Sequence, residues 1–311
     1  MGGSGGDFSS SSGDYKKILE EIKEETEDKA FETKVGILIN NILSDFNIRE
    51  NSEIIKKYID IIKICIEDEI GESIDLRFSG SYEKHTYVDG LSDVDILILI
   101  NKLDLERSSP KEVLEIFKSH LQEMHCSDIK YITTGRLAVT VTLTDGNEIQ
   151  LLPAIKKGDG YKISAEDGNN WSNIIRPDKF ARRLTEINQS CGRKVVPVIK
   201  LVKGLNTQLP EAQQLKGYHI ESIAIEAFKS YPDSYPKTPK VMLKYFFEKA
   251  KDIIKNPIKD KTGQSRNVDD YLGSENSPKR LQISNTLDII YRRMKFADEV
   301  GQVSQWEKIL G

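Results

Sequence analysis

Cysteine is scarce in this chain. Only Cys65, Cys126 and Cys191 occur in 311 residues. Their wide spacing excludes a disulfide framework and a zinc knuckle. Long apolar runs are also missing. No stretch of about 18 such residues exists, which excludes a transmembrane helix. The opening MGGSGGDFSSSSGD has neither a basic region nor an apolar core, so it is no signal peptide. It reads as a flexible Gly/Ser tail. No internal repeat is present. Nor does one sign of charge dominate: 45 Lys and Arg face 49 Asp and Glu, a net charge of −4 with both signs interspersed. That balance argues against a broad surface for long nucleic acid and leaves room for a local basic pocket. With 38% hydrophobic and 30% charged residues, the expectation is a globular, cytoplasmic protein with one large or two ordinary domains.

Helical spacing dominates the beginning. Ile18, Leu19, Ile22, Val35, Leu38, Ile39, Ile42, Leu43 and Phe46 predict a helix over 15–46. Its charged stretch EEIKEETEDK reads as a solvated face. A second helix starts near Asn51 or Ser52 and runs to Gly71. The strand SIDLRF then leads into Gly80-Ser81. A further strand ends at Ile100, and Pro110 opens the helix EVLEIFKSHLQEM. Strands follow at 128–134 and 136–144, and a hairpin turn at Asp145-Gly146 precedes the strand EIQLLPAIK. From about 177 the pattern is helical, with candidate helices at 177–190, 191–206, 217–230, 238–255, 277–298 and 301–309. The expected plan is a tail at 1–14, an α/β catalytic half at 15–176 and a helical half at 177–311.

The stretch GSYEKHTYVDGLSDVDILILI, residues 80–100, carries the chemistry. Asp93 and Asp95 stand two apart at the head of an apolar strand, so both carboxylates project from one face. Adjacent carboxylates repel unless a cation joins them. An oxygen-only pair suits Mg²⁺ or Mn²⁺, in sites that usually also hold substrate phosphates. A turn with Gly80 and Ser81 can bring backbone N–H groups and a hydroxyl to phosphate oxygens. Two ions held by Asp93 and Asp95 against a nucleoside triphosphate would supply the positioning and charge neutralisation that phosphoryl and nucleotidyl transfer need. A third carboxylate would come from the neighbouring strand 147–155, at position 150. That residue is Gln150, whose amide cannot take a proton. Gln150 is either an isosteric replacement of a Glu that traps substrate, or part of a natural, rearranged site that uses Glu148 one pleat away.

GSYEKHTYVDGLSDVDILI resembles the nucleotidyltransferase signature of the polymerase-β superfamily, in the form found in bacterial CD-NTases, the cGAS- and DncV-like oligonucleotide cyclases of antiphage CBASS systems. Further resemblance lies in EIQLLPAIK, NNWSNIIRPDKF, VPVIKLVKGLN, KGYHIES, VDDYLGSENSPKR and the closing QWEKILG. It spans roughly residues 35–311, without the zinc insertion of animal cGAS. The implied fold is α+β: a polymerase-β-like core with a mixed sheet and a C-terminal helical domain, two lobes around a cleft.

By position, the resemblance implies that Gly80 and Ser81 bind the donor triphosphate and that Asp93 and Asp95 hold the metal. It implies that Lys203 contacts phosphates, with Lys200 at helical spacing beside it, and that Tyr218 stacks on a base. Ordinary packing is the plain alternative for Tyr218, and surface charge for the lysines. His85 reads as a polar loop residue, His219 as structural and Trp171 as a packing anchor. The implied activity joins NTPs, ATP among them, into a cyclic di- or trinucleotide with release of pyrophosphate. Its product would act on a cyclic-nucleotide-responsive effector protein. The terminal Gly311 raises attachment by an E1/E2-like conjugating enzyme. Two rivals stand beside this reading: a synthase of linear oligonucleotides or a nucleotidyl transferase on RNA or protein, and a silent nucleotide-binding sensor.

Overall fold

A computed structural model describes residues 11–46, 50–70, 74–88, 91, 93–100, 105, 107–123, 127–165, 167–263 and 265–311. Asp89, Gly90 and Ser92 of the signature lie outside these, as do Cys126 and the first ten residues of the expected tail. Two long helices come first, α1 (Ser11–Asp45) and α2 (Glu50–Ile70). Helix α1 therefore begins inside the stretch read from sequence as tail. Strand β1 (Asp75–Phe78) and the single-turn helix α3 (Gly80–Glu83) lead to β2 (Val94–Leu99), α4 (Pro110–Glu123), β3 (Ile129–Thr134), β4 (Val139–Leu143), β5 (Glu148–Lys157) and β6 (Gly160–Lys162). The helical half follows with α5 (Pro177–Ser190), α6 (Val195–Thr207), α7 (Gly217–Phe228), α8 (Pro239–Ile253), α9 (Pro278–Glu299) and α10 (Val303–Leu310). No helix among the described residues is long and apolar enough to cross a membrane.

The sheet runs β1-β2-β5-β4-β3, with β6 added to β5. Only the central β2–β5 pair is parallel; the others are antiparallel. Alternation along β2 decides what each face meets. Val94, Ile96 and Ile98 join a core with Ile55, Ile62 and Ile66 of α2 and Val113, Leu114 and Phe117 of α4. Leu97 and Leu99 point the other way, packing with Ala154, Tyr161, Ile163 and Ile175. Asp93 and Asp95 share that second face by the same period of two. It looks toward the helical half, whose own core includes Val35 and Ile39 of α1.

Helix starts follow local chemistry. Ser109 and Glu112 form a reciprocal capping box at α4: the Ser109 N–H donates to Glu112 Oε2 at 2.8 Å and the Glu112 N–H to Ser109 Oγ at 3.3 Å. Thr238 and Ser277 cap α8 and α9, each with proline at the first helical position. Three sequence expectations need correction. Helix α6 starts at Val195 rather than 191, because Gly192 and Arg193 take left-handed φ values of 64° and 60° that break the run. The strand expected over 136–144 is confined to Val139–Leu143, since Gly135 to Ala138 form the turn between β3 and β4. Strand β6, three residues long, carries too short a pattern to be foreseen.

The irregular segment between α8 and α9 is fixed from inside. Arg280, fully buried, donates to Asp269 Oδ2 at 2.7 Å and to backbone oxygens of Ile254, Asn256, Asp269, Gly273 and Ser274. Removing one partner of a buried ion pair strands the other charge. Arg280→Met is therefore expected to lower unfolding free energy in urea by about 3–5 kcal/mol. The pair Arg280→Met/Asp269→Asn should cost less than the sum of the single changes. Strict additivity would show that the two side chains do not act together.

Candidate functional site

Gly80 opens α3 directly beneath the acidic edge of β2. Its φ is 59°, and a Cβ built there would lie 1.7 Å from Asp95 Oδ2. Glycine is required twice over, by the backbone conformation and by the space the carboxylate occupies. The Ser79 N–H donates to the Asp95 carbonyl at 2.9 Å, which ties the turn to the strand. The Ser81 carbonyl in turn accepts from the N–H groups of Thr86 and Tyr87 at 2.9 and 3.1 Å. The sequence anticipated a turn carrying Gly80 and Ser81; the observed element is one helical turn with His85 left-handed and exposed just after it.

Asp93, Asp95 and Gln150 come together as the spacing implied. Parallel pairing sets Asp95 directly opposite Gln150. The Gln150 amide Nε2 donates to Asp93 Oδ2 at 2.7 Å. Glu148, one pleat before, accepts from Thr142 Oγ1 at 3.2 Å, and its charge is felt at Asp93. Burial, and then the Asp93 charge, push the Asp95 carboxyl up to about 6, against the pull of Lys84 and Lys203. Asp93 is raised by its own burial and by Glu148, while the Gln150 amide works the other way.

These donors fit a divalent cation in a limited way. The pair is crowded and all-oxygen, and a cation would favour the charged form of two carboxyls that burial and neighbouring carboxylates now raise. No third His, Cys, Asp or Glu converges with them among the described residues. Gln150 presents its nitrogen, not its oxygen, to Asp93. Two carboxylates suffice for Mg²⁺ when waters and substrate phosphates complete the shell.

Two cavities flank this edge. One, of about 410 Å³, is polar and is lined by Ser81, Asp93, Lys203, Asn206 and Glu221 among others. The other, of about 210 Å³, is walled by Leu97, Leu152, Ile163, Ile175, Pro177 and Phe180. Gly80, Lys84, Asp95 and Tyr218 line both. The Tyr218 ring lies 4.6 Å from that of Phe180 at 51°. Lys84 Nζ sits 5.0 Å and 5.4 Å above the Phe180 and Tyr218 rings. The Tyr218 hydroxyl donates to Asp260 at 2.9 Å, and its own ionisation is pushed up by burial and the Asp260 charge.

Lys203 lines the polar cavity, but its ammonium is turned inward. It donates to the Thr86 carbonyl at 2.9 Å, to Thr86 Oγ1 at 3.3 Å and to Glu221 at 3.1 Å. Glu221 is 1% exposed and also takes Lys84 and the Thr86 hydroxyl. Burial alone would raise the Glu221 carboxyl, but the two ammonium groups and these hydrogen bonds bring it below its usual range. Lys200, one helical turn before Lys203, is not among the residues lining either cavity. Its ammonium is destabilised by burial and by Lys203. His219 is fully buried beside Tyr271, with its ionisation lowered to about 4 by burial. Trp171 anchors a loop by donating to the Ser108 carbonyl at 3.0 Å. Leu310 docks through its carbonyl to Gln208 at 3.2 Å, placing Gly311 at the end of a short packed helix.

Sequence reasoning missed Lys84, Thr86, Phe180, Glu221 and Asp260. Lys84 and Thr86 stand inside the signature and Glu221 inside KGYHIES, where a charged residue on an otherwise apolar helix was the available signal. Phe180 closes the stretch NNWSNIIRPDKF without standing out in it, and nothing local marks Asp260; both reach the site only through the fold.

No known family profile matches the chain, and no curated protein does. Solved structures do. CdnC of E. coli MS115-1, determined with ATP, superposes with a TM-score of 0.66 at 14% identity, over 87% of this chain and 97% of that one. CdnG of Bradyrhizobium diazoefficiens, a CD-NTase in complex with GTP, gives 0.64 at 11% identity, over 89% and 94%. The Vibrio cholerae DncV cyclic AMP-GMP synthase, bound to a linear intermediate, gives 0.60 at 10% identity, over 93% and 88%. At such identities the likeness is one of architecture, and on that ground the chain has the polymerase-β-like α+β fold of the bacterial CD-NTases.

Proposed function

We propose that this protein is a metal-dependent nucleotidyltransferase of the CD-NTase kind, joining NTPs into a cyclic di- or trinucleotide with release of pyrophosphate. The observation that carries the proposal is the pair of cavities meeting at Gly80, Lys84, Asp95 and Tyr218. Joining nucleotides requires two of them side by side at one charged centre, and this arrangement has room on both sides of it. The described solved relatives were bound to ATP, GTP or a linear dinucleotide intermediate, which supports NTPs as substrates. A product-responsive effector belongs to the same proposal.

The geometry supports the following roles. Asp93 and Asp95 would hold the cation, which when bound neutralises phosphate charge and activates the attacking hydroxyl. Gly80 and Ser81 bring the backbone of α3 within reach of phosphate oxygens. Lys84 places a cation between the two cavities. Tyr218 offers an aromatic wall to a base without selecting which. The apolar walls formed by Leu97, Leu152 and Ile163 exclude water on one side. Gln150 keeps the shape of a glutamate and withholds its charge and basicity, so binding is retained and turnover is slow.

Incubation of the protein with mixed NTPs and Mg²⁺ or Mn²⁺, followed by phosphatase treatment and mass spectrometry, tests this. Gln150→Glu is expected to raise the yield of phosphatase-resistant product by at least about tenfold, and Asp95→Asn to abolish it. Products with free ends would favour linear synthesis. Nucleotide binding without turnover in every Gln150 variant would favour a sensor.

Asp95 also has a stability signature. Its proton is held more tightly in the native state than in the unfolded chain, so the charged form destabilises the fold above about pH 6. In metal-free buffer at pH 7.5, Asp95→Asn is expected to be more stable than the parent, by about 2 kcal/mol. The gap should begin to close as the pH falls below about 6, where the native carboxyl takes up its proton, and be gone near pH 4, where the unfolded chain does too. A gap that stays constant from pH 7.5 to 5 would contradict this reading.

A further inference from the structure

The segment between α8 and α9 folds back over the apolar cavity, and one carboxylate organises it. Asp260 is 6% exposed. It accepts from the Thr262 N–H and hydroxyl at 2.8 Å each and from the Ser265 N–H and hydroxyl at 2.9 and 3.1 Å. Its fifth donor is the Tyr218 hydroxyl, 42 residues away on α7, at 2.9 Å. Burial opposes the Asp260 charge, and these donors more than offset it, so the group stays ionised. Thr262 lines the apolar cavity together with Tyr218. A charged acceptor therefore grips the rim of the cavity and the edge of its aromatic wall at once.

A tyrosine half-exposed in a cleft would ordinarily be free to rotate about χ1 and χ2. Here the ring is constrained at its far end by a charge-assisted hydrogen bond, stronger than a neutral one, and on one side by Phe180 at 4.6 Å. The bond itself engages only the hydroxyl; Phe180 and Lys84 Nζ, 5.4 Å over the ring, are the side chains already packed on it. We infer that Asp260 is a positioning residue that fixes the Tyr218 ring as a preorganised stacking platform for the nucleobase, so that base ordering on binding costs less. This rests on the nucleotide reading of the same site and goes beyond it, because it assigns base affinity to a side chain that touches no substrate.

The two parts of the ligand separate the outcomes. Calorimetry is run with Mg²⁺-ATP and with Mg²⁺-tripolyphosphate on the full chain. Tyr218→Phe keeps the ring and removes only the hydroxyl. Asp260→Asn keeps the size and removes the charge. Each is expected to weaken ATP binding about fivefold, a fraction of the value of one base stack, while tripolyphosphate affinity stays within twofold. The double variant should be no weaker than Asp260→Asn alone, since the Tyr218–Asp260 bond is the contact the two changes share. Equal weakening toward ATP and tripolyphosphate would reduce Asp260 to a purely structural role and overturn the inference. So would parental ATP affinity in Tyr218→Phe. A parent chain that binds ATP no more tightly than tripolyphosphate would remove the base platform itself. If the parent binds neither, the nucleotide reading fails first and the inference falls with it.

Discussion

The contact between Gly80 and the Asp95 carboxylate sets the geometry of everything around it. A carboxylate at the end of a buried strand is costly unless something polar or cationic meets it. Here the backbone of α3 comes so close that no side chain fits between them. The same approach lets the Ser79 amide bond the strand at 2.9 Å. Once the turn is pinned, the chain running on through Lys84 and Thr86 is directed toward the helical half. The order of cause runs from an absent Cβ to a placed lysine.

What receives that lysine is the buried Glu221. Its two oxygens collect Lys84 and Thr86 from the signature and Lys203 from α6. Two ammonium groups and one carboxylate, all nearly inaccessible, would be unfavourable in isolation. Together, and with the Thr86 carbonyl, they are satisfied. Arg77 makes a second tie across the same boundary, bonding Glu83 at 2.7 Å and Asp178, in the first turn of α5, at 2.6 Å. Relative movement of the halves would have to break charged pairs at both places. The cleft is thus held by the same class of interaction that an anionic substrate would compete for.

The order of elements, the acid pair and the strand opposite it were all legible in the sequence, because each rests on local periodicity or on residues close in the chain. Asp93 and Asp95 share a face for the reason that any residues two apart in a strand do. Gln150 was sought on the strand after the hairpin turn, three residues before Pro153, and the register places it opposite Asp95. Lys203 shows the limit. Its side of the helix was inferred correctly enough for it to line the cavity. The direction of its ammonium was not, since Glu221 lies 18 residues away on another helix. Asp260 was illegible for a similar reason: its acceptors' partners come from a polar connection with no periodicity, and from a tyrosine that only the tertiary fold brings near.

Gln150 is best understood through the charge it withholds. Burial and the Asp93 charge already raise the proton affinity of Asp95, and burial and Glu148 raise that of Asp93. A glutamate at position 150 would put a further negative charge opposite Asp95 in the same small space. Such a site would be less stable when empty and would bind a cation more tightly, the usual exchange between stability and catalytic readiness. The amide avoids that added repulsion and instead donates to Asp93, while Asp95 keeps its raised proton affinity. The features that would hold phosphates and a base, Gly80, Ser81, Lys84 and Tyr218, do not depend on which form is present. On the proposed function, substitution at this one position would separate capture of nucleotide from its conversion, leaving the first largely to the two cavities and the second to the acids on β2.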